Sequence, residues 1–217
     1  MARGTERPVV LVPGYQDTGA KLERLAAYLR SRGLDALILS PQPSNGQVPL
    51  EELACRLMEQ IDAALGPDAP FDYFGFSMGG LIGRYYVQAL GGARRVRRMV
   101  TLATPHLGTW SAYGAPPRPA VRQMRPGSAF LAALNASLGA LAPVDFIALW
   151  TPFDLSVTPA RNAVLPGRPN RRLLSPFHGL LVYDPWVIRA VAALFEGRCD
   201  GAALSRETRK ISRASIT

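Results

Sequence analysis

Apolar residues in the first half of the chain follow two patterns that take turns. The unbroken run Pro8 to Val12 reads as a strand buried on both faces, and the largely apolar runs Leu34 to Leu39, Phe71 to Phe76 and Met99 to Ala103 read as further strands. Between these runs apolar positions recur at helical spacing. Leu22, Leu25, Ala26 and Leu29 make one such face, closed by Gly33. Leu50, Leu53, Ala54, Leu57, Ile61 and Leu65 make a second, opened by Pro49 and stopped by Gly66-Pro67. Leu81, Ile82 and Tyr85 belong to a third, which ends near Gly91-Gly92. Alternating strand and helix predicts an α/β chain, with a mostly parallel sheet of about six strands and helices on both faces. Right-handed crossovers then bring the strand ends that carry Tyr15, Ser77 and Thr104 to one edge.

The second half is less regular. From Pro105 to Pro143 the periodicity weakens. Ala115 to Pro119 reads as extended or turn, and Ser128 to Leu138 as a short helix. Val144 to Trp150 is a further strand, followed by the polar loop Thr151 to Thr158, which holds Asp154. After a Pro/Gly-rich stretch, Arg171 to Leu174 reads as the last strand, running into Ser175-Pro176-Phe177-His178. Asp184-Pro185 opens a last helix with an N-cap acid and a proline at the first turn, and Val187, Val191, Leu194 and Phe195 face the core. Beyond Gly197 charge replaces pattern, and the tail is expected to fray. The expectation is one domain over 1–217, with its core at about 8–196, a substrate-covering segment at about 105–143 and a tail at about 197–217.

Composition narrows this picture only a little. A chain of 217 residues can bury a full core. No apolar run nears the roughly 20 residues that span a bilayer, and the first is too short for a signal peptide, so the chain as written reads as cytoplasmic, with export by another route or as a trimmed mature form left open. Cys55 sits in a helical pattern as a small core residue and Cys199 in the tail. Neither neighbours a metal-ligand pattern, so two free thiols and no metal are expected. The net charge of +9 is nearly all arginine, with Lys21 and Lys210 the only lysines. Arg, Ala, Gly and Pro run high together, a coding bias rather than a basic stripe, and no nucleic-acid partner is expected. Contact with a membrane or lipid surface stays open. Arg94, Arg95, Arg97 and Arg98 are expected to form a solvated rim.

Chemistry enters at Gly75-Phe76-Ser77-Met78-Gly79. This G-x-S-x-G lies between a buried run and a helical pattern. A serine on such a strand-to-helix turn holds its hydroxyl out at the sheet edge, and a Cβ at either flanking glycine would crowd the turn. The following helix aims its first N–H groups at the place where an oxyanion forms. A serine nucleophile needs a base, and the base needs an orienting acid. The two histidines are His106 and His178. In the order Ser, acid, His, His178 leaves room for an intervening acid and His106 does not. His106 is then a rim residue that shapes the pocket or caps its turn. Asp154 follows a strand and precedes His178. Asp145 lies at the far end of that strand, and Asp184 reads as an N-cap. The oxyanion donors would be the N–H of Met78 and, since Pro13 has none, that of Tyr15 after the first strand.

With Val12-Pro13-Gly14-Tyr15, the Ser77 turn, Leu102-Ala103-Thr104-Pro105-His106-Leu107-Gly108-Thr109 and the Asp154/His178 pair together, the chain resembles compact bacterial triacylglycerol lipases and esterases of the α/β-hydrolase family over about residues 8 to 196. Gln123 to Leu131 is similar to a stretch in such lipases. The resemblance implies an α/β-hydrolase fold, Ser77 as nucleophile, Asp154 as acid, His178 as base, Tyr15 and Met78 as oxyanion donors, and no cofactor. Pro13 stands where many relatives have histidine, as does Phe76, and the sheet lacks the first two strands of the eight-stranded form.

The reaction expected is hydrolysis of carboxylic esters, of the acyl-glycerol type or other small-molecule lipophilic esters, through an acyl-enzyme on Ser77. Acyl transfer to another acceptor and thioester hydrolysis on the same residues remain open, as does a non-catalytic binding protein on this fold. Leu107, Trp110, Met124, Phe130 and Leu131, in the apolar segment after a strand on the active edge, are candidates to line an acyl pocket or simply to cover the core.

Overall fold

A computed structural model of the chain describes residues 7–197. Six parallel strands form one sheet: β1 (Val9–Val12), β2 (Ala36–Ile38), β3 (Phe71–Phe76), β4 (Val96–Leu102), β5 (Asp145–Trp150) and β6 (Asn170–Arg172). Their spatial order is β2-β1-β3-β4-β5-β6. Six α-helices connect and cover them: α1 (Glu23–Ser31), α2 (Leu50–Leu65), α3 (Met78–Ala89), α4 (Pro119–Gln123), α5 (Ala129–Ala136) and α6 (Pro185–Phe195). Because all pairings are parallel, every strand delivers its C-terminal end to the same edge. The order reverses between β1 and β3, and the loops after these two strands diverge there to leave a crevice.

Strand alternation divides the core into two layers. Val10, Val12, Phe71, Tyr73, Met99, Phe146 and Ala148 pack with α2, α3, α4 and α5. Val9, Leu11, Phe74, Phe76, Val100, Leu102, Ile147 and Leu149 pack with α1 and α6. This is why the central strands are apolar along most of their length: both faces are covered. At roughly 1.5–3 kcal/mol for each large side chain removed from water, the two layers fix the sheet between its helices.

Element edges differ from the periodicity in small ways. β2 occupies only the middle of its apolar run. The last strand is shifted to Asn170–Arg172, because Leu173 turns into the core while Leu174 is exposed. Ser128 is the N-cap of α5, accepting the Leu131 N–H, and Leu138–Leu141 continues as a separate 3-10 turn. Asp184 caps α6 by accepting the Trp186 N–H. Cys55 is only partly buried, and Cys199 lies outside the described residues, as does the tail.

Two expectations are corrected. Arg95 is not part of a solvated rim: it is buried, ion-paired with Asp62 at 2.6 Å, and stands over the Phe71 ring. Arg98 is tied to Asp145 at 2.6 Å across the start of β4 and β5. His106 is not a rim residue either, but a fully buried one. Its Nε2 meets Thr101 Oγ1 at 3.0 Å, its Nδ1 faces Arg84 Nη1 at 3.4 Å, and its ring lies edge-on to Phe146. The Pro105 turn folds the imidazole back under the sheet edge, where the apolar environment suits its ring and Thr101 satisfies its nitrogen. Among the described residues no helix is long and apolar enough to cross a membrane.

Candidate active site

Ser77 ends β3 and caps α3 with φ 53° and ψ −121°. A non-glycine residue in this region is strained by about 1–3 kcal/mol, and it persists only where its surroundings enforce it. The enforcement is visible. The Ser77 N–H donates to Leu102 O at 2.8 Å, and its carbonyl accepts the Gly80 N–H at 3.1 Å. A Cβ on Gly75 would lie 2.6 Å from Gly80 Cα, and one on Gly79 would lie 2.4 Å from Val12 O. Only glycine lets α3 close on β1 and β3 at this distance, and that closeness holds the serine at the crevice.

His178 and Asp154 come from the loops after β6 and β5. Asp154 is buried, and its carboxylate is fully engaged. Oδ1 accepts the N–H groups of Ser156 and Val157, each at 2.8 Å, and Oδ2 accepts from His178 Nδ1 at 2.8 Å. Nδ1 therefore carries a proton, and in the neutral ring Nε2 is left as the acceptor. Thr151 Oγ1 donates to Ser175 O at 2.7 Å and locks the two loops together. Phe76, beside the serine, lies under the imidazole with ring centroids 4.9 Å apart. Ser77 and His178 share the wall of one cavity of about 420 Å³. No hydrogen bond joins the Ser77 hydroxyl to the imidazole in this arrangement.

Tyr15 lies in the loop after β1, on the same cavity wall. The loop is held by Gln16 N–H donating to Ser44 O at 2.9 Å and by Ser44 Oγ donating to Asp17 O at 2.7 Å. The Gly14 N–H lies close enough to the Asp17 carboxylate to pull its pKa down against the effect of burial. Among the described residues nothing accepts the N–H of Tyr15, nor that of Met78 at the start of α3. Two backbone donors thus flank the serine without partners.

The five candidate pocket residues separate. Met124 lines the cavity. Leu107 faces a different recess with Trp150 and Val164. Trp110 is 61% exposed and stacks on Tyr113. Phe130 and Leu131 are buried in the core, Phe130 against Tyr85. Helical phase explains the last two, since α5 turns them toward α3 and away from the opening. The lining also contains the apolar Ala112, Ala115 and Val121 and the charged Asp17 and Lys21. Sequence reasoning passed over all five. For Asp17 and Lys21 a signal existed: both lie within seven residues of the Pro13-Gly14 turn, and Lys21 is one of two lysines among 25 basic residues. Burial raises the Asp17 pKa, against the opposing pull of Lys21 and the Gly14 N–H.

Sheet order, strained serine and crevice define an α/β-hydrolase. Comparison with solved structures agrees on the fold. The mature form of the Bacillus licheniformis lipase BlEst2 matches with a TM-score of 0.76 at 16% identity, over 90% of this chain and 94% of that one. Aspergillus fumigatus lipase B matches with a TM-score of 0.72 at 17% identity, over 92% of this chain and 56% of that one. An extracellular α/β-hydrolase from a Paenibacillus species matches at 0.60 and 14% identity, over 87% and 98%. Residues 8–138 match the profile of the palmitoyl protein thioesterase family, and the chain belongs to that family. The matched span includes Tyr15, Ser77 and Met78 and stops before Asp154 and His178. No curated protein sequence matches the chain.

Proposed function

We propose that the protein hydrolyses lipophilic carboxylic esters through an acyl-enzyme on Ser77. The observation that carries this is the strained Ser77, which shares one cavity with a histidine whose far nitrogen is fixed by a buried carboxylate. In this reading His178 Nε2 takes the Ser77 proton as Oγ attacks the ester carbonyl. Asp154 holds the ring in the required tautomer and stabilises its charged form. The N–H groups of Tyr15 and Met78 receive the oxyanion. The carbon–oxygen bond to the alcohol then breaks, and the alcohol oxygen leaves with the proton from Nε2. Water repeats the sequence on the acyl-enzyme and releases the acid.

The test is hydrolysis of p-nitrophenyl esters from acetate to palmitate by wild type and Ser77→Ala. Wild type is expected to turn over, with the variant about 10⁴-fold or more slower. A variant that keeps its rate would remove Ser77 from the mechanism. Membership in the palmitoyl protein thioesterase family favours a second reading, thioester hydrolysis on the same residues. An oxygen ester and a thioester of one acyl chain, compared by kcat/KM, decide between them.

A further inference from the structure

We propose that Asp17 and Lys21 form a subsite for the leaving alcohol, selecting one that carries a further free hydroxyl, as glycerol does. This rests on the Ser77 acyl-enzyme reading and adds to it the class of alcohol. The cavity is lined by two unlike sets of residues, which come from different elements. Ala112, Val121 and Met124 belong to the layer of α2 to α5, whereas Lys21 follows Thr18 in the 3-10 turn Gly19–Leu22 that leads into α1. The apolar set suits an acyl chain. The charged set presents a carboxylate and an ammonium 3.8 Å apart.

Neither charged group is used up within the protein. Lys21 Nζ has no acceptor within hydrogen-bond distance among the described residues: Asp17 Oδ1 stands at 3.8 Å and the Tyr183 ring centroid at 5.3 Å. The lysine side chain is only 21% exposed, so its three donors are partly removed from water without full replacement. Among the described residues no hydrogen bond ends on the Asp17 carboxylate, whose oxygens keep lone pairs for a ligand, with the Gly14 N–H nearby.

Position assigns the charged set to the leaving group. A Cβ on Gly179, the residue after His178, would lie 3.7 Å from Lys21 Nζ. The point where a Gly14 Cβ would sit is 3.1 Å from Asp17 Oδ2 and 3.0 Å from Ser77 Cβ. The pair therefore has its carboxylate near Ser77 and its ammonium near the residue that follows His178, on the lining of the same cavity. Charge then sets the chemistry. A phosphate against Lys21 would also lie against the Asp17 carboxylate. A hydroxyl can accept from Lys21 and donate to Asp17 at once.

The test compares kcat/KM for 1-monooctanoylglycerol and propyl octanoate, which share the acyl chain and a three-carbon alcohol. The wild-type ratio is expected to be about tenfold or more, the scale of one hydrogen bond to a charged donor. Lys21→Met should bring it to about one, and Lys21→Arg should keep part of it. The ratio does not depend on how much of a variant folds. A wild-type ratio near one, an unchanged ratio in Lys21→Met, no turnover of the glycerol ester, or a preference for its 3-phosphate would each overturn the subsite. Ser77→Ala run alongside separates the two ideas. If it still hydrolyses both esters, the acyl-enzyme reading fails. If it loses both while wild type shows no hydroxyl preference, only the subsite fails.

Discussion

His106 shows how a single side chain couples this fold to pH. It is fully buried, and the loss of hydration, aided by the Arg84 charge, holds its pKa well below the ordinary 6.5. Because Arg84 can only donate, Nδ1 faces it as an acceptor and the proton sits on Nε2, toward Thr101. Protonation would place a second cation beside the guanidinium with no carboxylate to receive it. In the unfolded chain the imidazole titrates near 6.5, so below that pH the unfolded state binds a proton that the native state refuses. Stability from this residue is therefore complete above pH 6.5 and falls as pH drops, by at most about 1.4 kcal/mol per pH unit. Asp17 and Asp72 have pKa values raised by burial and act in the opposite sense, but equally in wild type and a His106 variant. Urea unfolding from pH 7 to 5 should show a steeper acid loss in wild type than in His106→Gln. Parallel pH dependences would mean that the imidazole takes up its proton without cost.

At the scale of elements, the covering segment is fastened to the sheet by an arginine. Arg84 on α3 is buried with no carboxylate partner among the described residues, and burial lowers its pKa to about 10. It donates to Leu134 O and Asn135 Oδ1 in α5, each at 3.0 Å, and to Gln88 Oε1 at 2.9 Å. Gln88 Nε2 also donates to Leu134 O, and Asn135 Nδ2 to His106 O. Arg84→Leu would strand the Asn135 and Gln88 oxygens and should cost about 3 kcal/mol in urea unfolding, with faster amide exchange concentrated in 129–136. A cost under about 1 kcal/mol would show that Gln88 suffices. Legibility in the sequence divides along the same line. β1, β3, α2 and α3 were readable because burial on both strand faces, or on one helix face, leaves an unbroken local period. The Ser77 turn was readable because its glycines are required by approaches of 2.4–2.6 Å. Arg84, His106 and Arg95 were opaque because their partners lie far along the chain, and a buried polar residue carries no period of its own. The Asp154–His178 contact was placed by chain order, yet its 2.8 Å geometry depends on Ser156 and Val157 N–H groups that any residue type could supply.

At the scale of the whole molecule, the site lies where two layers meet the open edge of the sheet. The crevice between the loops after β1 and β3 holds Ser77, while α4 and the 3-10 turn Trp110–Tyr113 contribute Val121 and Ala112 to the apolar lining. Under the proposed function, an acyl chain would meet Val121 and Met124 on α4 and its end, not the aromatic residues outside. Met124 is 7% exposed and its backbone N–H is bonded to Ala120 O, so the residue cannot swing away without unwinding α4. A larger side chain there must extend into the cavity of about 420 Å³ or displace the core behind it. Met124→Trp should move the preferred p-nitrophenyl ester to a shorter acyl chain. It should lower kcat/KM for the longest esters by about tenfold or more, since a few displaced methylenes at ~0.8 kcal/mol each reach that scale. Trp110, stacked on Tyr113 in solvent, touches none of this space, and Trp110→Ala should leave the profile in place. The opposite pattern, a profile that follows Trp110 and ignores Met124, would put the acyl chain across the outer surface and leave the cavity to the alcohol alone.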